Sequence, residues 1–212
     1  YAHALRPQVF SQDSLVIEYK IMKEIGAKIS SLDSQSSPRF SGSVSYFSYG
    51  YTNKIKTIHY SGSPLQFPVN FGSAEISGLE LNMEVLTLSD MLSFRSIYSS
   101  YNYSDQLSFP MQPVAISRNS VGLNIGTLSA RVSMKNEGGR VLTTVNSSGR
   151  LTDNYLKEHQ SLDVNISYKI KFRDFMASVA IFGQNLNDDS QSLDGVSIYD
   201  KRIYLSMGLE WK

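Results

Sequence analysis

Ser161-Leu162-Asp163-Val164-Asn165-Ile166-Ser167-Tyr168-Lys169-Ile170 alternates polar and apolar side chains without interruption. In an extended backbone, successive side chains point to opposite sides, so this stretch is a β-strand with two unlike faces. Leu162, Val164, Ile166, Tyr168 and Ile170 share one face, and Asp163, Asn165, Ser167 and Lys169 the other. Helical spacing would scatter the same residues around a cylinder.

Working outward, residues 79–87 repeat the pattern, with Leu79, Leu81, Met83 and Val85 opposite Glu80, Asn82 and Glu84. Val121, Leu123 and Ile125 alternate with small polar residues up to Gly126-Thr127, and Leu128, Ala130, Val132 and Met134 resume the alternation against Ser129, Arg131, Ser133 and Lys135. That reads as a hairpin with a very short turn. Phe175, Ala177, Val179 and Ile181 continue the series, and Leu205, Met207, Leu209 and Trp211 close it. Weaker strands are expected near 20–33, 39–52 and 91–103, giving about nine strands.

The joins alternate in length. Short ones fall near 32–38, 88–91, 126–128 and 171–174, and long polar ones near 52–70, 104–119, 137–158 and 187–199. A meander with tight turns on one rim and long loops on the other is the pattern of an up-and-down membrane barrel. The long joins carry no helical period and are expected to be flexible surface loops.

Composition agrees. Charged residues are 18% of the 212, below the roughly 25% of soluble domains, while hydrophobics are 41%, so one polar face per strand carries most of the charge. No stretch of about 18 apolar residues exists, which excludes a membrane helix but not a barrel, whose strands need only one apolar face. A net charge of +1 gives no field for nucleic acid, and the absence of cysteine removes disulfides and thiolate chemistry. The start at Tyr1 without an initiator Met leads to the expectation of a processed or partial polypeptide. A soluble β-sandwich remains the alternative. The aromatics near strand ends, Tyr46, Phe47, Tyr49, Tyr51, Tyr98, Tyr101, Tyr103 and Tyr168, favour a barrel, where such rings form interfacial girdles.

Several short motifs occur in order. Glu24-Ile25-Gly26-Ala27-Lys28 is followed by Tyr46-Phe47-Ser48-Tyr49 and Asn53-Lys54-Ile55. Then come Asn70-Phe71-Gly72-Ser73-Ala74, Gly78-Leu79-Glu80-Leu81 and finally Asn185-Leu186-Asn187-Asp188. The succession resembles the C-terminal barrel of TonB-dependent outer-membrane transporters, and the last strand, with Leu205, Met207, Leu209 and Trp211, resembles their barrel-assembly signal. Lys212 departs from the usual terminal aromatic.

The resemblance implies an all-β, antiparallel up-and-down transmembrane barrel portion spanning 1–212, about nine strands of a barrel of about 22. It places the chain in the bacterial outer membrane. The earlier strands, the plug domain and the TonB-contacting segment are expected outside this chain, because an open sheet cannot stand alone in hydrocarbon. It further implies TonB-driven uptake of a siderophore, vitamin, glycan or peptide, with a surface lipoprotein as a further partner. A non-transporting barrel or a binding or adhesin module that presents loops to other proteins is the competing function.

No catalytic motif or cofactor signature is present, so neither enzymatic chemistry nor a cofactor is expected. His3, His59 and His159 read as isolated loop histidines. Asp188, Asp189 and Asp194 read as a solvated acidic loop before a calcium site. If the apolar faces meet lipid, as expected for Leu79, Leu81, Met83, Val85, Leu162, Val164, Ile166, Leu205, Met207 and Leu209, a polar set projects into the lumen. That set is Glu80, Asn82, Glu84, Arg95, Arg131, Lys135, Asp163, Asn165 and Lys169, which would contact a plug or line a hydrated wall.

Overall fold

The computed structural model describes residues 15–31, 38–60, 66–87, 89–145, 148–193 and 196–211. Its strands in chain order are β1 (Tyr19–Ser30), β2 (Arg39–Thr52), β3 (Ile55–Tyr60), β4 (Gln66–Asn70), β5 (Ala74–Thr87), β6 (Leu92–Tyr103), β7 (Ala115–Ile125) and β8 (Leu128–Glu137). They continue with β9 (Arg140–Val145), β10 (Leu151–Leu156), β11 (His159–Lys171), β12 (Phe175–Gln184), β13 (Gln191–Leu193), β14 (Val196–Ile198) and β15 (Arg202–Trp211). Among the described residues no helix is long and apolar enough to cross a membrane.

Nine strands form one antiparallel sheet in the order β1-β2-β5-β6-β7-β8-β11-β12-β15. With the hairpins that lie outside this sheet set aside, each strand pairs with its neighbours in sequence, which is an up-and-down meander. The expected nine-stranded antiparallel barrel portion is present. Among the described residues, strands β1 and β15 each pair on one side only.

The tight turns follow their local chemistry. Ile125 pairs with Leu128, and Gly126, at φ 56°, is the first central residue of a two-residue hairpin loop, where a positive φ is required. Between β5 and β6, Ser89 and Asp90 are both left-handed (φ 54° and 69°), and the Asp90 carboxylate accepts from the Arg39 guanidinium of β2. Asp and Ser tolerate that conformation because their short side chains bond locally.

The long connections differ from the expectation of flexible loops. The 53–73 segment contains the β3–β4 hairpin, 138–158 contains β9–β10 and 185–201 contains β13–β14. The first two join through a short parallel pairing of β3 with β9, at His59↔Thr144 and Tyr60↔Val145, into a four-stranded sheet ordered β10-β9-β3-β4. Its apolar residues Ile58, Val141, Leu142 and Val145 are buried. The strands of these hairpins, three to six residues long, are too short to reveal a period beside polar neighbours, so the sequence gives little sign of them. The long join expected over 104–119 is shorter than that, because β7 begins at Ala115.

Candidate functional site

The register sorts the expected site residues onto two faces. Phe40, Val85, Phe94, Val121, Val132 and Val164 are successive cross-strand partners from β2 to β11, and Gly183 and Ile203 extend the row to β15. Side-chain alternation puts Leu79, Leu81, Met83, Leu162, Ile166, Leu205, Met207 and Leu209 on this same apolar face. One residue along each strand lies a polar row, in which Glu84, Arg95, Ser120, Ser133 and Asp163 are successive partners. Glu80, Asn82, Arg131, Lys135, Asn165 and Lys169 share that polar face.

The apolar face ends along a slanted line. On the long-connection side its first polar residues are Ser48 on β2 and its partner Ser77 on β5; on β6 the boundary drops to Ser100 and on β7 to Ser117. Ser96 and Asn119 lie below that line and satisfy each other, the Ser96 hydroxyl donating to Asn119 Oδ1 at 2.7 Å. From β2 to β7 the boundary falls about 13 Å along the strands over about 14 Å across them, an angle of roughly 45°. Barrel strands tilt by about 35–45°, so a flat membrane surface would cut the sheet along such a line.

Part of the polar set lines a cavity of about 460 Å³, where Lys135 and Asp163 meet Arg118, Glu137, Arg140 and His159. Glu137 bridges Lys135 and Arg140. Asp163 accepts from the Ser161 hydroxyl at 2.8 Å and from the Asn185 amide at 2.9 Å. Two buried atoms there lack a hydrogen-bond partner, Asn185 Oδ1 and His159 Nδ1, although the latter lies 3.2 Å from Asp189 Oδ2. Glu84 faces Arg95 across the ladder and Arg131 faces Asn165, whereas Glu80, Asn82 and Lys169 stand apart from the cavity. Among the described residues no group of three or more His, Asp or Glu could hold a metal ion, and His3 and Asp194 lie outside them.

The aromatics divide differently from the girdle expected. Phe47, Tyr49, Tyr51, Tyr101 and Tyr103 fall on the polar face, since Phe47 and Tyr101 pair with Gly78 and Tyr49 and Tyr103 pair with Ile76. Together with Ala74 and Phe109 they form a buried cluster under the long connections. Of the eight rings expected in a girdle, Tyr46, Tyr98 and Tyr168 are on the apolar face; near the short turns Phe172 stacks on Phe175 at 4.3 Å, and Phe175 meets Trp211 at 5.5 Å. The odd numbering of the first group, against the even numbering of Phe40, Val44 and Tyr46, was the available signal.

Cations cover this cluster, with Lys20 Nζ 4.1 Å from the Tyr49 ring centre and Lys54 Nζ 4.7 Å from that of Tyr51. Glu18 holds the start of β1 to β3: its carboxylate accepts from the Ile55 amide at 2.6 Å and from Lys54 at 3.0 Å. Burial pushes the Glu18 carboxyl up, but those two donors outweigh it and hold it below the usual range. Lys56, almost buried against the Phe71 ring, is shifted down by desolvation, partly offset by Asp105 and Asp153.

The family model described as TonB dependent receptor-like, beta-barrel matches residues 18–186. The chain belongs to the TonB-dependent receptor-like β-barrel family. This receptor barrel resembles the ferric enterobactin receptor of Pseudomonas aeruginosa (G324V mutant), with TM-score 0.64 and 16% identity over 94% of this chain and 32% of that one. It also resembles the siderophore receptor PirA of Acinetobacter baumannii, with TM-score 0.63 and 14% identity over 92% of this chain and 32% of that one. A third match is the FpvAI–pyocin S2 complex, with TM-score 0.62 and 16% identity over 91% and 26%. The receptor chain thus spans about a third or less of the length of these structures. No curated protein matches it by sequence.

In the receptor barrel, the Asn185-Leu186-Asn187-Asp188 motif caps a strand. Asn187 Oδ1 accepts from the Leu162 amide at 2.9 Å, while its Nδ2 donates to the Gln160 carbonyl at 2.8 Å. Asp189 accepts from the Gln160 amide at 2.7 Å. These side chains satisfy the edge of β11 where its pairing with β12 has ended. Leu186 lies over Gly183, whose missing Cβ makes the space. The acidic residue Asp189 is therefore part of a rim clamp, a role that composition alone did not suggest.

Proposed function

We propose that this chain supplies the C-terminal strands of an energised uptake receptor in the bacterial outer membrane. Its apolar face meets lipid, and its polar face lines a lumen closed by a plug. The observation that carries this reading is the family match over residues 18–186, which takes in eight of the nine strands of a meander whose two faces differ so sharply. In hydrocarbon the free edges of β1 and β15 require partners, so the earlier strands of the barrel, and the plug they surround, come from polypeptide outside these residues.

Uptake then follows from the division of the wall. The long-connection end, stiffened by the β10-β9-β3-β4 sheet, presents a binding surface outside the cell. The polar and charged residues below it, Glu80, Asn82, Glu84, Arg95, Arg131, Lys135, Asp163, Asn165 and Lys169, hold the plug through bonds that water can replace, so a pull through TonB can release it. The cargo is a scarce siderophore, vitamin, glycan or peptide, carried without covalent change, and a surface lipoprotein can dock on the outer rim.

The test is growth of cells with and without the full-length receptor on limiting nutrients of the four classes, in TonB-positive and TonB-negative backgrounds. A nutrient whose use requires both receptor and TonB supports the proposal. Receptor-dependent growth that is indifferent to TonB would overturn it.

A further inference from the structure

A single register row crosses the apolar face and changes character midway. Val44, Leu81, Tyr98, Ser117, Asn136 and Gln160 are consecutive cross-strand partners from β2 to β11. Two hollows meet at Tyr98. On one side, a groove of about 460 Å³ is bordered by Ile29, Gly42, Val44, Leu81 and Met83. On the other, a cavity of about 800 Å³ is bordered by Ser117, Asn136, Gln160 and the overhanging Asn187 and Asp188.

The apolar groove exists because position 42 is glycine. Nothing lies closer than 3.7 Å to where a Cβ of Gly42 would sit, and its φ is not left-handed, so neither packing nor backbone requires glycine there. In a strand interior glycine costs stability, and here the result is open space. The polar cavity is organised in advance. Asn136 Nδ2 donates to Ser117 Oγ at 3.1 Å, Gln160 Nε2 donates to Asn136 Oδ1 at 2.8 Å, and the rim clamp fixes the Gln160 backbone. Among the described residues, the Ser117 hydroxyl proton, one N–H on each amide and Gln160 Oε1 remain unused beside the cavity.

We propose that this seam binds one membrane glycolipid, with a hydroxyl-rich sugar headgroup on Ser117, Asn136 and Gln160 and an acyl chain running past Tyr98 into the groove over Gly42. The dimensions agree: the row is about 24 Å long, comparable with half of a ~30 Å hydrocarbon core plus its headgroup layer. The tilt inferred from the polar boundary carries the Gln160 end of the row upward and the Val44 end toward the bilayer interior. Charge selects the headgroup class. Among the described residues no Lys or Arg borders the cavity, while Glu158, Asp188 and Asp189 do, so a phosphate would be repelled and neutral hydroxyls would find donors and acceptors.

This inference rests on the proposed lipid contact of the apolar face. The test is native mass spectrometry of the full-length receptor released from phosphatidylethanolamine nanodiscs doped with monoglucosyl diacylglycerol. One retained glucolipid per receptor is expected. Retention should fall about tenfold or more in Asn136→Ala/Gln160→Ala, the effect of losing two or three hydrogen bonds. It should fall similarly in Gly42→Leu, which fills the groove, and stay unchanged in Ser133→Ala on the polar face. Unaltered retention in the first two variants, or equal retention of phosphatidylethanolamine, would overturn the site. Lipid contact itself is tested separately by Val164→Arg: if that variant fails to assemble while the glucolipid result is negative, only the glycolipid site is lost.

Discussion

Replacing Gly78 by alanine would place a Cβ 2.3 Å from the Ser100 carbonyl oxygen and 2.6 Å from Cζ of Phe47. Both distances are far inside contact, and the two neighbours can yield very unequally. Ser100 is held in the β5–β6 ladder, so the ladder must distort locally there, and the Phe47 ring must move as well. That ring is buried, stacks on Tyr49 at 4.8 Å and lies 5.9 Å from Tyr101. Overpacking costs about 1–3 kcal/mol and each disturbed ring pair about 0.5–1.5 kcal/mol, so Gly78→Ala should destabilise by about 2–5 kcal/mol. The assay is urea unfolding of the refolded full-length receptor in lipid bilayers, with Gly50→Ala as control, since nothing lies within 4 Å of that position's Cβ. The control should change stability by less than about 0.5 kcal/mol. Phe47→Ala alone should cost about 3–5 kcal/mol, but combined with Gly78→Ala it should cost less than the sum, because truncating the ring removes the side-chain clash and leaves only the one with the Ser100 carbonyl. Equal stability of the Gly78 and Gly50 variants, or strict additivity in the double variant, would refute the packing argument.

Three further outcomes are expected. Asn187→Ala removes two bonds from the edge of β11 and should lower hydrogen-exchange protection at the Leu162 amide by about 1–3 kcal/mol of local opening energy; unchanged protection would show that the motif does not cap the strand. Glu18 has a folded-state pKa below its unfolded value, so its tether is fully present above the ordinary carboxylate range and is lost as pH falls through the lowered value. Protection of the Ile55 amide should drop across that acidic window in the native receptor and be low and flat in Glu18→Gln; a native profile as flat as the variant's would count against the tether. Val164→Arg should cost about 2–4 kcal/mol in membrane assembly and Asn165→Arg little, as read from the folded fraction on gels of unheated samples; equal tolerance would sink the assignment of faces.

The strand faces were legible because period-two alternation is a backbone property that needs no tertiary information. From Leu162 to Ile170 each side chain's face follows from its parity, and the register then aligns Val164 with Val132 and Val121. Aromatic content misled, because ring-rich segments such as Tyr46–Tyr51 supply both faces in turn. Composition counts Phe47 and Tyr46 alike, whereas parity sends Phe47 to the buried cluster and leaves Tyr46 exposed. The β3–β9 pairing joins residues far apart in sequence through only two register pairs, so local patterning carried no trace of it. The cavity around Lys135, Asp163 and Asn185 draws on β8, β11 and the turn after β12, and the residue at its base, Asn185, is left-handed at φ 48°. Its role depends on that backbone conformation and on the neighbouring strand, neither of which spacing in the sequence encodes.

The central claim is that one face of these strands meets hydrocarbon and the other an aqueous, plugged lumen. Spin labels placed singly at each position from 162 to 170 of the full-length receptor in bilayers test it most directly, through relaxation by dissolved oxygen and by a water-soluble nickel chelate. High oxygen and low nickel accessibility are expected at 162, 164, 166, 168 and 170, with oxygen accessibility low at 163, 165, 167 and 169. Accessibility without a period of two, or with the parity reversed, would contradict it.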